Sequence, residues 1–181
     1  MNTDAVTPES LMNVPLFGNF TESELRQLID IGQVKTFQPG EMIVEQDDTS
    51  QELWVLLEGK CEVLRQAKIG KGSRPPISLA SLEPFANFGE MSFFHPAPHS
   101  ASVRAQTSVK LLCIRRSALD ELLYSPSSVA LKLSMNIIAS LAERIRRMDD
   151  WVVDLMGQNT LAQKIPELMR LREQMFESWM L

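Results

Sequence analysis

Through the middle of the chain, apolar residues come in short runs with a period near two. Toward the end they change to helical spacing. The runs at 33–38, 41–45, 52–57, 60–66, 77–82, 100–106 and 109–115 are bounded by turn residues and read as strands. Pro39-Gly40 and Glu58-Gly59 supply two of the turns. Strands at this spacing predict a small barrel or sandwich. Ahead of them, Thr21-Glu22-Ser23-Glu24 is a capping box, in which Thr21 accepts from the Glu24 N–H and Glu24 reaches back. Phe20 and Leu25 fit a hydrophobic staple over that helix start. The helix predicted here runs to about Ile31, with Leu25, Leu28 and Ile29 inward, and Gly32 ends it. Residues 1–13 are polar and predicted loose, before the apolar anchor Val14-Pro15-Leu16-Phe17. The segment 67–76 reads as a basic, flexible hairpin loop with a solvated tip.

After residue 116 the pattern is helical. Ser117 is the expected cap of a helix with Leu119, Leu122 and Leu123 on one face, and Ser125-Pro126 separates it from the next. A long helix is predicted over 126–157. In it Ile138, Leu141, Ile145, Met148, Val152 and Leu155 follow alternating spacings of three and four, with β-branched residues at every a position and Leu or Met at every d. That choice favours a parallel two-stranded coiled coil, hence a homodimer. One helix packed on its own domain would also use such a stripe. Ile137, Trp151 and Val153 lie off it and leave surface for a second neighbour. Gly157-Gln158-Asn159 breaks the helix. Residues 158–181 are again helical in pattern, with a break or restart at Pro166; six of the ten methionines lie after Ser134, which predicts either helix-on-helix core or a docking surface for another protein. The expected organisation is a flexible N-terminus (1–13), a β-domain (14–125), the long helix (126–157) and the extension (158–181).

Composition narrows the functional classes. A net charge of −5 argues against a large nucleic-acid surface, which needs clustered Lys and Arg. Cys61 and Cys113 sit inside strand runs and read as small buried hydrophobes. The first residues lack the basic and apolar regions of a signal peptide, and no run approaches the roughly 18 apolar residues of a membrane span. A cytoplasmic, reduced setting is the default expectation, with no membrane contact.

Candidate chemistry concentrates at residues 88–105. Phe88-Gly89-Glu90 leads through apolar and small residues, then two prolines, into an alternating strand. Glycine permits close backbone approach, N–H groups at a helix start attract phosphate, and a carboxylate accepts from sugar hydroxyls. The combination reads as an anion and sugar pocket. His95 and His99 are four apart, but Pro96 and Pro98 preclude the regular helix that would aim both at a metal. No nucleophile or oxyanion arrangement accompanies Glu90, so neither a catalytic residue nor a metal ligand is assigned.

Residues 16–123 resemble the cyclic-nucleotide-binding domain of catabolite-activator-type regulators, protein kinase A regulatory subunits and cyclic-nucleotide-gated channels. The likeness is carried by Leu16-Phe17, Phe37-Gln38-Pro39-Gly40-Glu41, Leu53-Trp54-Val55-Leu56-Leu57-Glu58-Gly59, Phe88-Gly89-Glu90-Met91-Ser92 and Ser100-Ala101-Ser102-Val103-Arg104-Ala105. It implies a mainly β fold, an eight-stranded jelly-roll barrel with flanking helices, followed by a long dimerisation helix and a C-terminal helix. It also implies a short phosphate-binding helix beginning at Gly89. The ligand-binding set it implies is Gly89, Glu90, Met91, Ser92, His99 and Ser100. Gly89 would offer its N–H to the phosphate, Glu90 would bind the ribose 2′-hydroxyl, and Ser100 would donate to the phosphate. At position 99 the family normally has arginine. Arginine stays charged and forks two donors onto a phosphate, whereas histidine is shorter and carries less charge at neutral pH. A second departure is Asp47 in Gln46-Asp47-Asp48, where the family often has glycine.

Two functions follow. One is a non-enzymatic sensor, dimeric, that binds cyclic AMP or cyclic GMP and signals to a protein partner through its C-terminal helices; no other cofactor is required. His99 weighs against tight binding of those nucleotides. The other is a degenerate module acting as a dimeric interaction scaffold without ligand. A third reading, a truncated relative of the transcription regulators, is weaker. Lys164, Arg170 and Arg172 are balanced by Glu167, Glu173 and Glu177, so no basic face for direct DNA binding is evident.

Overall fold

The computed structural model describes residues 6–66, 75–124 and 127–157. Eight strands among them form two four-stranded antiparallel sheets. In chain order they are β1 (Gly32–Phe37), β2 (Met42–Val44), β3 (Glu52–Glu58), β4 (Cys61–Arg65), β5 (Ile77–Leu82), β6 (Asn87–Phe88), β7 (Ser102–Ala105) and β8 (Val109–Arg115). One sheet has the order β1-β8-β3-β6, the other β2-β7-β4-β5. Five helices flank them: α1 (Pro8–Met12), α2 (Glu22–Ile31), α3 (Glu90–Phe94), α4 (Arg116–Leu123) and α5 (Val129–Gly157).

Side-chain alternation explains the layering. Trp54 and Leu56 of β3 and Leu111 and Cys113 of β8 join Val44, Cys61, Phe88, Val103 and Ala105 in one buried cluster between the sheets. The intervening Leu53, Val55, Leu112 and Ile114 point to the opposite face and are equally buried. That face is covered, since α2 and α4 pack on β8. Strands buried on both sides read as continuous apolar runs, as 53–56 does. Each fully buried Leu or Ile adds roughly 1.5–3 kcal/mol relative to an exposed one.

The capping box forms as its spacing predicts. Thr21 caps α2, its N–H donating to Glu24 Oε2 at 2.8 Å and the Glu24 N–H returning to Thr21 Oγ1 at 3.3 Å. Phe20 and Leu25 are both buried. Gly32 ends α2 in extended rather than left-handed backbone. Its missing side chain serves packing instead, since a Cβ there would lie 2.5 Å from Leu112 Cδ1.

Three expectations are corrected. Within the segment predicted loose, 8–12 is helical: Thr7 caps it in a second capping box with Ser10, Pro8 occupies its first turn, and Leu11 is fully buried. Ser117 does not cap α4; Arg115 holds that position, and Ser117 lies inside the helix. Of the three leucines assigned to one inward face, Leu119 is buried but Leu123 is exposed. The strand β6, two residues long, has no counterpart among the predicted runs. The antiparallel pairing of β4 with β5 agrees with the predicted hairpin. The basic tip at 67–74, the Ser125-Pro126 break and the extension from 158 lie outside the described residues.

The chain divides into two compact units, 1–137 and 138–181. Helix α5 starts in the first. There Val129, Ala130, Leu133 and Ile137 are buried. Lys132 Nζ binds Glu24 Oε2 at 2.8 Å, Ser128 Oγ donates to Glu24 Oε1 at 3.0 Å, and Asn136 Nδ2 donates to the Leu16 carbonyl at 2.7 Å. The Lys132 ammonium, followed by the Thr21 N–H, holds the Glu24 carboxyl down at about 2. The base of α5 is thereby tied to α2 and to the turn before it.

Candidate functional site

The site is built outward from β6. Asn87 and Phe88 pair with Val55 and Trp54 of β3, and Phe88 stacks on Trp54 with ring centroids 6.2 Å apart. Gly89 follows with φ +84 and caps α3. A Cβ at this position would lie 2.4 Å from the Glu52 carbonyl oxygen, so glycine is required both by conformation and by space. Helix α3 then turns Glu90, Ser92 and Phe93 inward, at 4 %, 3 % and 0 % exposure, and Met91 outward at 61 %.

His99 is the best-defined member. Its ring is 5 % exposed. Nε2 lies 3.1 Å from Ser50 Oγ and Nδ1 lies 3.2 Å from Ser92 Oγ. Ser50, with the Thr49 N–H that donates to Asp48 Oδ1 at 2.7 Å, holds the Asp48 carboxyl below its ordinary range. Main-chain bonds reinforce the junction: Asp47 N–H donates to the His99 carbonyl at 3.0 Å and His99 N–H to the Asp48 carbonyl at 2.8 Å. Gln51 Nε2 donates to the Ser92 carbonyl at 3.2 Å. The segments 47–51 and 92–99 are thus joined side chain to side chain and backbone to backbone. Asp47 itself has φ +69, the left-handed conformation that glycine would adopt without strain.

Of the residues singled out from sequence, Ser92 and His99 meet in this junction, Glu90 is buried on α3 ahead of it, Gly89 is half-buried at the start of α3, and Met91 and Ser100 are exposed. Ser50 had no sequence signal of its own, and Asp48 entered only through the Gln46-Asp47-Asp48 motif; both reach His99 because β2 and β7 pair and bring the following loop alongside. Arg104 is opposite Glu62 across the β4–β7 ladder and donates to it from Nε at 2.8 Å. His95 caps the end of α3 and is exposed. Among the described residues no cluster of three metal-binding side chains occurs, and no helix is long and apolar enough to cross a membrane.

Arg116 connects α3 to the helices that follow. Its guanidinium lies over Phe94 and Phe93, 5.4 and 6.0 Å from the ring centres. It donates to the Phe93 carbonyl at 3.3 Å and to Asp120 at 2.8 Å. Along α5, Ile138, Ile145 and Met148 of the predicted stripe are exposed, Leu141 and Val152 are partly so, and the Leu155 side chain lies outside the described residues. Ile137, read from sequence as off-stripe surface, is instead buried in the first unit.

The same architecture occurs in known proteins. The crystal structure of Thermus thermophilus catabolite activator protein superposes with a TM-score of 0.67 at 29 % identity, covering 79 % of this chain and 63 % of that one. The CRP-like cAMP-activated global transcriptional regulator of Mycobacterium tuberculosis is 24 % identical over 165 residues, 91 % of this chain and 70 % of that protein. The cAMP-dependent protein kinase regulatory subunit of Pyricularia oryzae is 27 % identical over 113 residues, 62 % of this chain and only 27 % of that protein's length. Residues 34–125 match the cyclic nucleotide-binding domain model, and the chain belongs to that family.

Proposed function

We propose that this chain is a non-enzymatic regulatory module that works without tight binding of cyclic AMP or cyclic GMP. The observation that carries this reading is His99. It stands where the family resemblance places the phosphate-pairing arginine, and both of its ring nitrogens face serine hydroxyls. Arg104 is paired with Glu62 and is no substitute. Loss of one member of a desolvated charge pair costs roughly 2–5 kcal/mol. At about 1.4 kcal/mol per tenfold, that moves a micromolar binder toward millimolar.

Titration calorimetry with both nucleotides, on wild type and His99→Arg, tests this. The wild type is expected to give no saturating heat below about 100 μM nucleotide, and the arginine variant to bind at least about tenfold more tightly. A micromolar wild-type constant would sink the proposal. It would favour the sensor reading, which has one specific observation behind it: Glu90, the residue assigned to the ribose, is kept and is 4 % exposed.

In the proposed module the output surface is α5 with the extension after it. The exposed stripe Ile138, Leu141, Ile145, Met148 and Val152 supports self-association through a two-stranded coiled coil, with a protein partner engaging the extension. Ile145→Asp places a carboxylate in the seam, and light scattering should then report the mass of one chain where wild type reports two. Equal masses for the two proteins remove the coiled-coil assignment.

A further inference from the structure

A cleft distant in sequence from residues 88–105 has features of a second ligand site. It lies in the first unit, between the N-terminal segment and the end of β3, with a volume of about 260 Å³. Val6 and Asn13 line it from one side, Leu57, Glu58 and Phe85 from the other, and Lys110 of β8 completes it. Two features mark it as more than a surface crease. β3 changes register between Leu56 and Glu58, a bulge that lifts Leu57 out of the ladder. Phe85 has φ +75, an uncommon conformation for a bulky residue, and its N–H donates to the Leu56 carbonyl at 2.7 Å. Strained backbone of this kind is concentrated at binding sites.

Lys110 gives the cleft its chemical character. Its side chain is only 13 % exposed. Its ion pair is with Glu58, at 3.7 Å, too far for a hydrogen bond, and Glu58 is itself 71 % exposed. An ammonium with three donors is thus held near the protein interior beside a carboxylate that solvent screens and that can swing away. Leu57, Val6 and Phe85 supply apolar lining, and Asn13, an exposed residue, lines it too. We propose that this cleft binds a small amphipathic carboxylate, its anionic head on Lys110 and its hydrocarbon part against Leu57 and Phe85. The volume is below the roughly 300–1,000 Å³ of sites for drug-sized ligands, which restricts the occupant to a short chain or a single ring.

Octanoate is a suitable probe, with octanol as its neutral counterpart, titrated into the full chain and followed by backbone amide NMR shifts. Saturable shifts are expected at Leu57, Phe85 and Lys110, with octanol at least about tenfold weaker because it lacks the charge-assisted bond. Lys110→Met should abolish the preference for octanoate. Glu58→Gln should strengthen octanoate binding severalfold by removing the competing carboxylate. Phe85→Gly, which suits the backbone at that position, should weaken both ligands and keeps the test valid if Lys110→Met does not fold. Absence of saturable shifts, equal affinity for octanoate and octanol, or unchanged binding in Phe85→Gly would each overturn the assignment.

Discussion

Gly89→Ala is expected to disrupt the start of α3 and lower the melting temperature by about 5–15 °C. Two costs combine. An alanine at φ +84 occupies a conformation that disfavours any Cβ, and that Cβ would sit 2.4 Å from the Glu52 carbonyl oxygen. The carbonyl belongs to the first residue of β3, a strand hydrogen-bonded on both sides, so it cannot easily yield. Strain and overpacking together are worth about 2–5 kcal/mol, and each kcal/mol shifts the midpoint by about 2–4 °C in a chain of this size. Thermal unfolding followed by circular dichroism measures the shift, and a midpoint within about 2 °C of wild type would mean that the turn relaxes without loss. Because Ser92 and Phe93 follow within one turn, amide exchange at His99 should also accelerate.

Trp54→Ala should be as severe for a different reason. Trp54 is 1 % exposed between the sheets, stacked on Phe88 and edge-on to Phe37, 6.0 Å away, with the Lys35 ammonium 4.8 Å from the ring centre. Removing it leaves a cavity that three strands border, and aromatic-to-alanine changes of this kind cost about 3–5 kcal/mol. Urea unfolding read by far-UV circular dichroism is the appropriate measurement, since the substitution deletes a tryptophan that would report on the core. A midpoint unchanged from wild type would show that the core repacks around the gap.

Local chemistry made much of this fold readable before any coordinates. The strands 33–37, 52–57 and 109–115 carry their own alternation or apolar blocks, and the α2 boundary is written in Thr21 and Glu24. The turn at Gly89 is legible for the same reason: a glycine and a carboxylate adjoin an apolar run. What escaped depends on tertiary closure or on very short elements. β6 has two residues, too few for a period. α1 has five, but its Thr7-Pro8 start with Ser10 is a capping signal that could have been found. Arg115 displaced Ser117 as the cap because β8 runs straight into α4 without a loop. His99 stands out in the sequence as a departure from the family pattern, yet nothing local tells where its ring goes. Its partners Ser50 and Ser92 are 49 and 7 residues away, and only the pairing of the strands assembles them.

The two buried cysteines have a practical consequence for following these helices in solution. Burial pushes the Cys61 thiol up to about 11 and, with the nearby Glu52 carboxylate adding to it, the Cys113 thiol up to about 12. At neutral pH fewer than roughly one in a thousand of either is thiolate, the form that reacts with maleimides and iodoacetamides. A cysteine introduced at exposed Val153, off the proposed seam, would therefore take a fluorophore or spin label selectively, with both native thiols left in place.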